Sequence, residues 1–259
     1  MGFIKFSANL GFLWSELPLP DAIRAAKMAG FDAVECHWPY EVSPNDVALA
    51  LEETGLKMLG LNTRRGDVDT GENGLSAIPG REVDARLAID EAISYALVIS
   101  TKSIHVMAGF TNSHEAEKVF IENLQYACDQ AIKFNIKILI EPLNKYDAPG
   151  YFLTTTKQAL NVMDKVNKPN LKLMFDCYHV QLMEGDLANS IEKLMPRIGH
   201  IQFASVPDRG PPDNGEVAYK FIFELIKKLG YTDPIGAEYE PKGDTDASLC
   251  LLYTSPSPR

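Results

Sequence analysis

The 259-residue sequence predicts an α/β fold, specifically a (β/α)8 barrel, and three observations carry the prediction. Short apolar runs alternate with longer amphipathic ones along the chain. The short runs lack the polar–apolar alternation of half-exposed strands and read as parallel strands buried on both faces. There are eight of them, in strict alternation with seven helical stretches.

Residues 4–8 form the first predicted strand and residues 20–29 the first helix, with Asp21 in its opening turn and Gly30 as its stop. A strand over 33–36 leads to a helix over 44–54, ended by Gly55 in the same style. The third strand, 57–61, is followed by a long aperiodic connection from Asn62 to Gly80 that holds Arg64, Arg65 and two close glycines, Gly71 and Gly74. Connections of that length in a compact domain are lids or binding loops. A helix over 81–96, a strand over 103–107, a helix over 114–134 and a strand over 136–140 come next. The chain then reads helix 156–166, strand 171–175, helix 186–194, strand 198–203, helix 216–229 and strand 235–237. Loops 144–150 and 206–215 also follow strands, so they gather with the long loop on the C-terminal rim of the barrel.

The barrel is expected to occupy residues 1–249 as a single domain. Residues 244–249 could cap and begin a last helix, but the chain then ends in Thr254-Ser255-Pro256-Ser257-Pro258-Arg259, which cannot continue one. Residues 250–259 therefore read as a non-native appended tail, with a frayed terminus as the plainer reading. Either way the eighth helix is truncated, and barrel stability should suffer.

Composition narrows the function. Lys plus Arg is 25 against 35 Asp plus Glu, a net charge of −10, which disfavours a nucleic-acid partner. No apolar run approaches the about 20 residues of a membrane span, and the opening residues do not resemble a signal peptide. Cys36, Cys128, Cys177 and Cys250 are scattered without a paired motif, which favours a reducing, cytoplasmic location.

Four polar residues sit at the ends of successive strands: Glu141, Asp176, Gln202 and Glu238, each about one βα unit from the next. At equal height on neighbouring strands they converge on one side of the barrel mouth. Three carboxylates that close cannot all be ionised without a cation between them. Oxygen ligands of this kind suit one divalent ion, Mg²⁺ or Mn²⁺, better than zinc. Solvated strand-end polar groups are the plainer alternative, and four in consecutive units argue against it.

Several segments also resemble the hydroxypyruvate isomerase family of xylose isomerase-like barrels. They are Glu141-Pro142-Leu143-Asn144, Asp176-Cys177-Tyr178-His179, His200-Ile201-Gln202, Pro207-Asp208-Arg209, Gly236-Ala237-Glu238-Tyr239 and the loop from Gly74 to Glu82, with His105-Val106-Met107-Ala108-Gly109. The resemblance implies that Glu141, Asp176, Gln202 and Glu238 are metal ligands and that Glu141 and Glu238 transfer protons. It also implies that His179 and Arg209 hold substrate oxygens. Gln202, where the related ketose 3-epimerases carry histidine, favours the isomerase branch. The implied reaction interconverts hydroxypyruvate and tartronate semialdehyde through an enediolate. The substrate's carboxylate needs a cation, for which Arg209 is the first choice, ahead of Lys242 and the Arg64–Arg65 pair. The order in which the two glutamates act stays open. A homodimer is the assembly common in the superfamily, and nothing in the sequence marks its interface.

The remaining residues divide by position. His105 either lines the pocket or is a bonded core histidine, whereas His200 reads as structural. His37 and Trp38 either wall the site or cap the barrel. Asp147 reads as a solvated loop acid, and Cys177 as no nucleophile. The competing functions are a 2-oxo-tetronate isomerase, a ketose 3-epimerase, a multi-metal endonuclease and a ligand-binding barrel without turnover. Five histidines and the negative charge speak against the nuclease.

Overall fold

The computed structural model describes residues 4–249. The proposed tail at 250–259 lies outside them. The strands are β1 Phe6–Asn9, β2 Ala33–Glu35, β3 Leu61–Asn62, β4 Ser103–His105, β5 Lys137–Ile140, β6 Leu171–Asp176, β7 Ile198–Phe203 and β8 Ile235–Ala237. All pair in parallel in the order β2-β1-β8-β7-β6-β5-β4-β3. The ring closes where Val34 in β2 bridges Met58, with Leu59 N–H donating to Val34 O at 2.7 Å and Cys36 N–H to Gly60 O at 3.2 Å. The predicted strand over 57–61 is thus split: its first part pairs with β2, and only Leu61–Asn62 pairs with β4.

The helices are α1 Leu19–Ala29, α2 Pro44–Thr54, α3 Glu82–Val98, α4 Ala116–Ala131, α5 Thr156–Val166, α6 Cys177–Met183, α7 Leu187–Leu194 and α8 Tyr219–Lys228. Gly30 and Gly55 adopt the left-handed conformation that ends α1 and α2, as their positions predicted. Helix α6 is a correction, because the sequence was read as loop directly after Asp176. Asp176 is both the last residue of β6 and the N-cap of α6, its Oδ1 accepting the Tyr178 N–H at 2.9 Å. A helix of seven residues has too few turns to show a period, and its cap was masked by the strand before it. After β8 the described residues form one 3₁₀ turn, Asp246–Ser248, tied to the rim by Trp14 N–H donating to Thr245 Oγ1 at 3.0 Å.

The long connection after β3 is anchored rather than free. Gly74 bridges Ala108, and Ala77 N–H donates to Ala108 O at 2.7 Å, burying Leu75 and Ala77 against the extension of β4. Gly74 has φ of 112°, and a Cβ there would lie 2.7 Å from the Met107 Cβ, so only glycine allows this approach.

Strand alternation sends apolar residues outward to the helices and polar ones into the barrel. Phe203 faces outward, edge-on to Phe223 on α8 and to Phe6 on β1, and is fully buried. Inward-facing Glu35 accepts from His200 Nε2 at 2.5 Å, Asn9 Nδ2 at 3.2 Å and Gln202 Nε2 at 3.1 Å. Gly236 leaves room for this cluster, since a Cβ there would sit 2.8 Å from the Gln202 Cγ.

Phe203→Ala is expected to cost about 3–5 kcal/mol, measured as a shift in the urea midpoint with unchanged slope. Glu35→Ala strands several buried donors and is expected to cost on the order of 3–5 kcal/mol, with part recovered by adding His200→Leu. Full stability of the single variant would show that the pair does not hold the barrel interior together.

Candidate active site

Glu141 follows β5, Asp176 ends β6, Gln202 lies in β7 and Glu238 follows β8, so four adjacent strands deliver them to one rim. All four are at least nine-tenths buried. Glu141, Asp176, Glu238 and also His179 each place one ligand atom within 4.8 Å of the others. His179 is on α6 rather than on a loop, with Nε2 3.6 Å from Asp176 Oδ2 and 3.8 Å from Glu141 Oε1.

The donors around Glu238 are complete. Its Oε1 accepts from Asn9 Nδ2 at 2.8 Å, His37 Nε2 at 3.0 Å and Gln202 Nε2 at 3.2 Å, and its Oε2 from Arg209 Nη2 at 2.8 Å. Burial alone would raise this carboxyl; Arg209, with His37 behind it, outweighs burial and holds it well below the usual carboxylate range. Glu141 and Asp176 go the other way. Burial raises both, and the charge of Glu238 raises them further.

Three oxygens are left over. Glu141 Oε1, Asp176 Oδ2 and Gln202 Oε1 are buried without a hydrogen-bond partner. The orientation of Gln202 is fixed, because its Nε2 donates to two carboxylates and so leaves Oε1 as the unpaired atom. Buried acceptors are rarely left unpaired, and a convergent set of carboxylate and amide oxygens is the donor chemistry of a hard divalent cation. The residues therefore fit such an ion.

Arg209 spans the opening. Its guanidinium lies 4.7 Å from the Phe12 ring and 5.0 Å from the Tyr178 ring, with Nη1 3.4 Å from Asp147 Oδ2 and Nε buried without a partner. Lys242 is not brought to this cluster; it is exposed and pairs with Glu240 at 2.7 Å. Arg64 pairs with Glu41 and Glu91 on the outer rim, while Arg65 stacks on Trp38 at 4.7 Å.

The structure also adds groups that the sequence reading passed over or underweighted. Asn9 closes the first strand as the four acids and amides close theirs, so the same rule would have found it. His37 proves to be a Glu238 partner, and Asp147, an exposed loop acid as read, also accepts from Asn144, Tyr178 and Arg209. His105 lies 3.7 Å from Glu141, and burial drives its pKa down to about 3. His200 is structural through Glu35. Cys177 is buried at the start of α6, and burial pushes its thiol far up, which suits no nucleophile.

The chain resembles known proteins along nearly its whole length. Residues 23–254 match the family described as xylose isomerase-like TIM barrel. A hydroxypyruvate isomerase of Escherichia coli is 38% identical, over 95% of this chain and 97% of its own. A 2-oxo-tetronate isomerase of Haemophilus influenzae is 39% identical, over 95% and 96%. A Brucella melitensis structure described as an AP endonuclease, family 2, superposes with a TM-score of 0.95 at 38% identity, over 98% of this chain and 100% of that one. With the strand-end acids converging on one rim of a closed eight-stranded barrel, the chain belongs to the hydroxypyruvate isomerase family of xylose isomerase-like TIM barrels and is an isomerase.

Proposed function

We propose that the enzyme interconverts hydroxypyruvate and tartronate semialdehyde by moving a proton between neighbouring carbons through an enediolate. The observation that carries the reading is the set of unpartnered buried groups at the barrel mouth: three oxygens that suit a cation and, beside them, the free Nε of Arg209 that suits an anion. A small 2-oxo acid needs both.

Glu141, Asp176, Gln202 and Glu238 would hold one divalent ion, Mg²⁺ or Mn²⁺. When bound, that ion supplies Lewis-acid stabilisation of negative charge on the substrate's adjacent oxygens. Arg209 binds the substrate carboxylate. The rings of Phe12 and Tyr178 and the Asp147 carboxylate keep its guanidinium in a fixed plane, which favours two-point recognition of a carboxylate. Glu141 and Glu238 lie on opposite members of the β5–β8 arc and move the proton, one removing it from carbon and the other returning it at the next. Burial of both limits bulk water around the developing enediolate, and the carboxyl protons exchange with solvent between turnovers.

A four-carbon 2-oxo acid is the second reading, supported by a 2-oxo-tetronate isomerase as similar to this chain as the hydroxypyruvate enzyme. A ketose 3-epimerase has less support, since a free ketose leaves Arg209 without a carboxylate. The net charge of −10 disfavours an endonuclease, and the unpaired ligand oxygens disfavour an inert binder.

Purified protein is expected to bind one Mn²⁺ per chain and to turn over hydroxypyruvate, with loss of turnover on chelation. Glu141→Gln and Glu238→Gln should each lower kcat by about 100-fold or more. Arg209→Met should raise KM for the 2-oxo acid and leave KM for any accepted ketose little changed. A folded, metal-loaded enzyme that turns over a ketose but no 2-oxo acid would overturn the substrate assignment.

A further inference from the structure

The geometry around His179 reveals which of its ring nitrogens carries the hydrogen, and with it the residue's task. Asn144 follows β5 and is fully buried. Its side-chain Oδ1 accepts the backbone N–H groups of Tyr146 and Asp147, both at 2.9 Å. That fixes the amide's orientation, because an NH₂ in the same place would face two donors. The other end is therefore Nδ2, which donates to Asp147 Oδ2 at 3.0 Å and lies 2.7 Å from His179 Nδ1. The backbone N–H of Asn144 points at the same ring nitrogen from 3.1 Å. Both groups can only donate, so Nδ1 is an acceptor and bears no hydrogen. A neutral His179 then carries its hydrogen on Nε2, the nitrogen that faces Glu141 and Asp176.

We propose that Asn144 is a positioning residue that locks His179 as an Nε2–H donor, so that His179 gives a hydrogen bond to the substrate oxygen that becomes negative and does not ligate the metal. The inference rests on the isomerase reading for its catalytic part only. A nitrogen that keeps its hydrogen has no lone pair for a metal, which separates His179 from the three carboxylates around it although all four lie close together. Ligation through Nε2 would move the hydrogen to Nδ1, against two donors and at the loss of both hydrogen bonds. A fixed donor aimed at a developing oxyanion strengthens as charge forms, which is how it accelerates the step. The same amide ties His179 to Asp147, which also receives Tyr178 and Arg209, so one side chain sets both the substrate-facing histidine and the arginine's support.

The test is nitrogen-15 NMR of the histidine side chains, with the His179 signals identified by their loss in His179→Ala. The expected result is the neutral Nε2–H form in both the metal-free and the Mg²⁺-saturated enzyme. His179→Ala should also bind Mg²⁺ within about threefold of the parent, below the roughly tenfold or larger loss expected of a disturbed metal shell. Asn144→Asp, nearly the same shape, places an acceptor against Nδ1; it should move the hydrogen there and lower kcat about 100-fold with KM within about threefold. Asn144→Ala keeps the backbone donor and should be the milder change. A carboxylate at position 144 would also face Asp147 Oδ2, so the hydrogen position read by NMR, rather than the order of the two variants, separates positioning from a structural role. An Nδ1–H form in the parent enzyme, direct coupling of Nε2 to a bound cadmium nucleus, or an unmoved hydrogen in Asn144→Asp would each overturn the proposal. The NMR needs no substrate, so an intact Nε2–H form in an enzyme without turnover would count against the isomerase reading and leave the placement of the hydrogen standing.

Discussion

The structure depends on a repulsion. Glu141, Asp176 and Glu238 are buried together at the mouth of the barrel, where water cannot screen them, and their charges raise one another's proton affinity. Glu238 escapes this only because four donors surround it: Asn9, His37, Gln202 and Arg209. The other two carboxyls are less fully escorted, Asp176 taking one backbone N–H with Arg209 3.9 Å away, and each leaves an oxygen unpaired. A site in that condition is poised for a cation, and the remaining features of the mouth follow from keeping it so.

The barrel interior below the mouth has the supporting role. Glu35 holds Asn9, Gln202 and His200 through one carboxylate, and both Asn9 and Gln202 then reach up to Glu238. The lone Gly236 on β8 makes the space for that cluster. Above the mouth, Asp147 and Asn144 organise a second layer from the β5 loop, and this layer reaches Arg209, Tyr178 and His179. The chemistry is thus gripped from below by strand residues and from the side by one loop. Rigid strands place the proposed ligands, and the loop positions the groups proposed to meet the substrate.

Most of the fold was legible because short β-like runs alternate strictly with longer helical ones and the first two helices end in glycine. Gly30 and Gly55 needed no tertiary information to be read as stops. The short helix Cys177–Met183 was not legible, because Asp176 serves strand, cap and site at once and a local pattern cannot assign three roles. The four strand-end residues could be found because their spacing repeats the βα unit. Asn9 obeys the same rule and was overlooked for want of charge. Lys242 stands near Glu238 in sequence, but the backbone turns at positive φ and its side chain pairs with Glu240. Glu35 was out of reach, and so were the partners of Asn144 and His37, which the sequence placed only in a motif and at the mouth, since each matters through a partner far away in the chain.

The central claim is that the buried acids move a carbon-bound proton of a small 2-oxo acid. Proton exchange in D₂O tests it most directly. The enzyme is incubated with Mg²⁺ and hydroxypyruvate, and NMR follows deuterium at the carbon beside the carbonyl. The account predicts deuterium entry that stops with chelator and with Glu238→Gln. No entry into hydroxypyruvate or a four-carbon 2-oxo acid, in protein shown to be folded and metal-loaded, would contradict it.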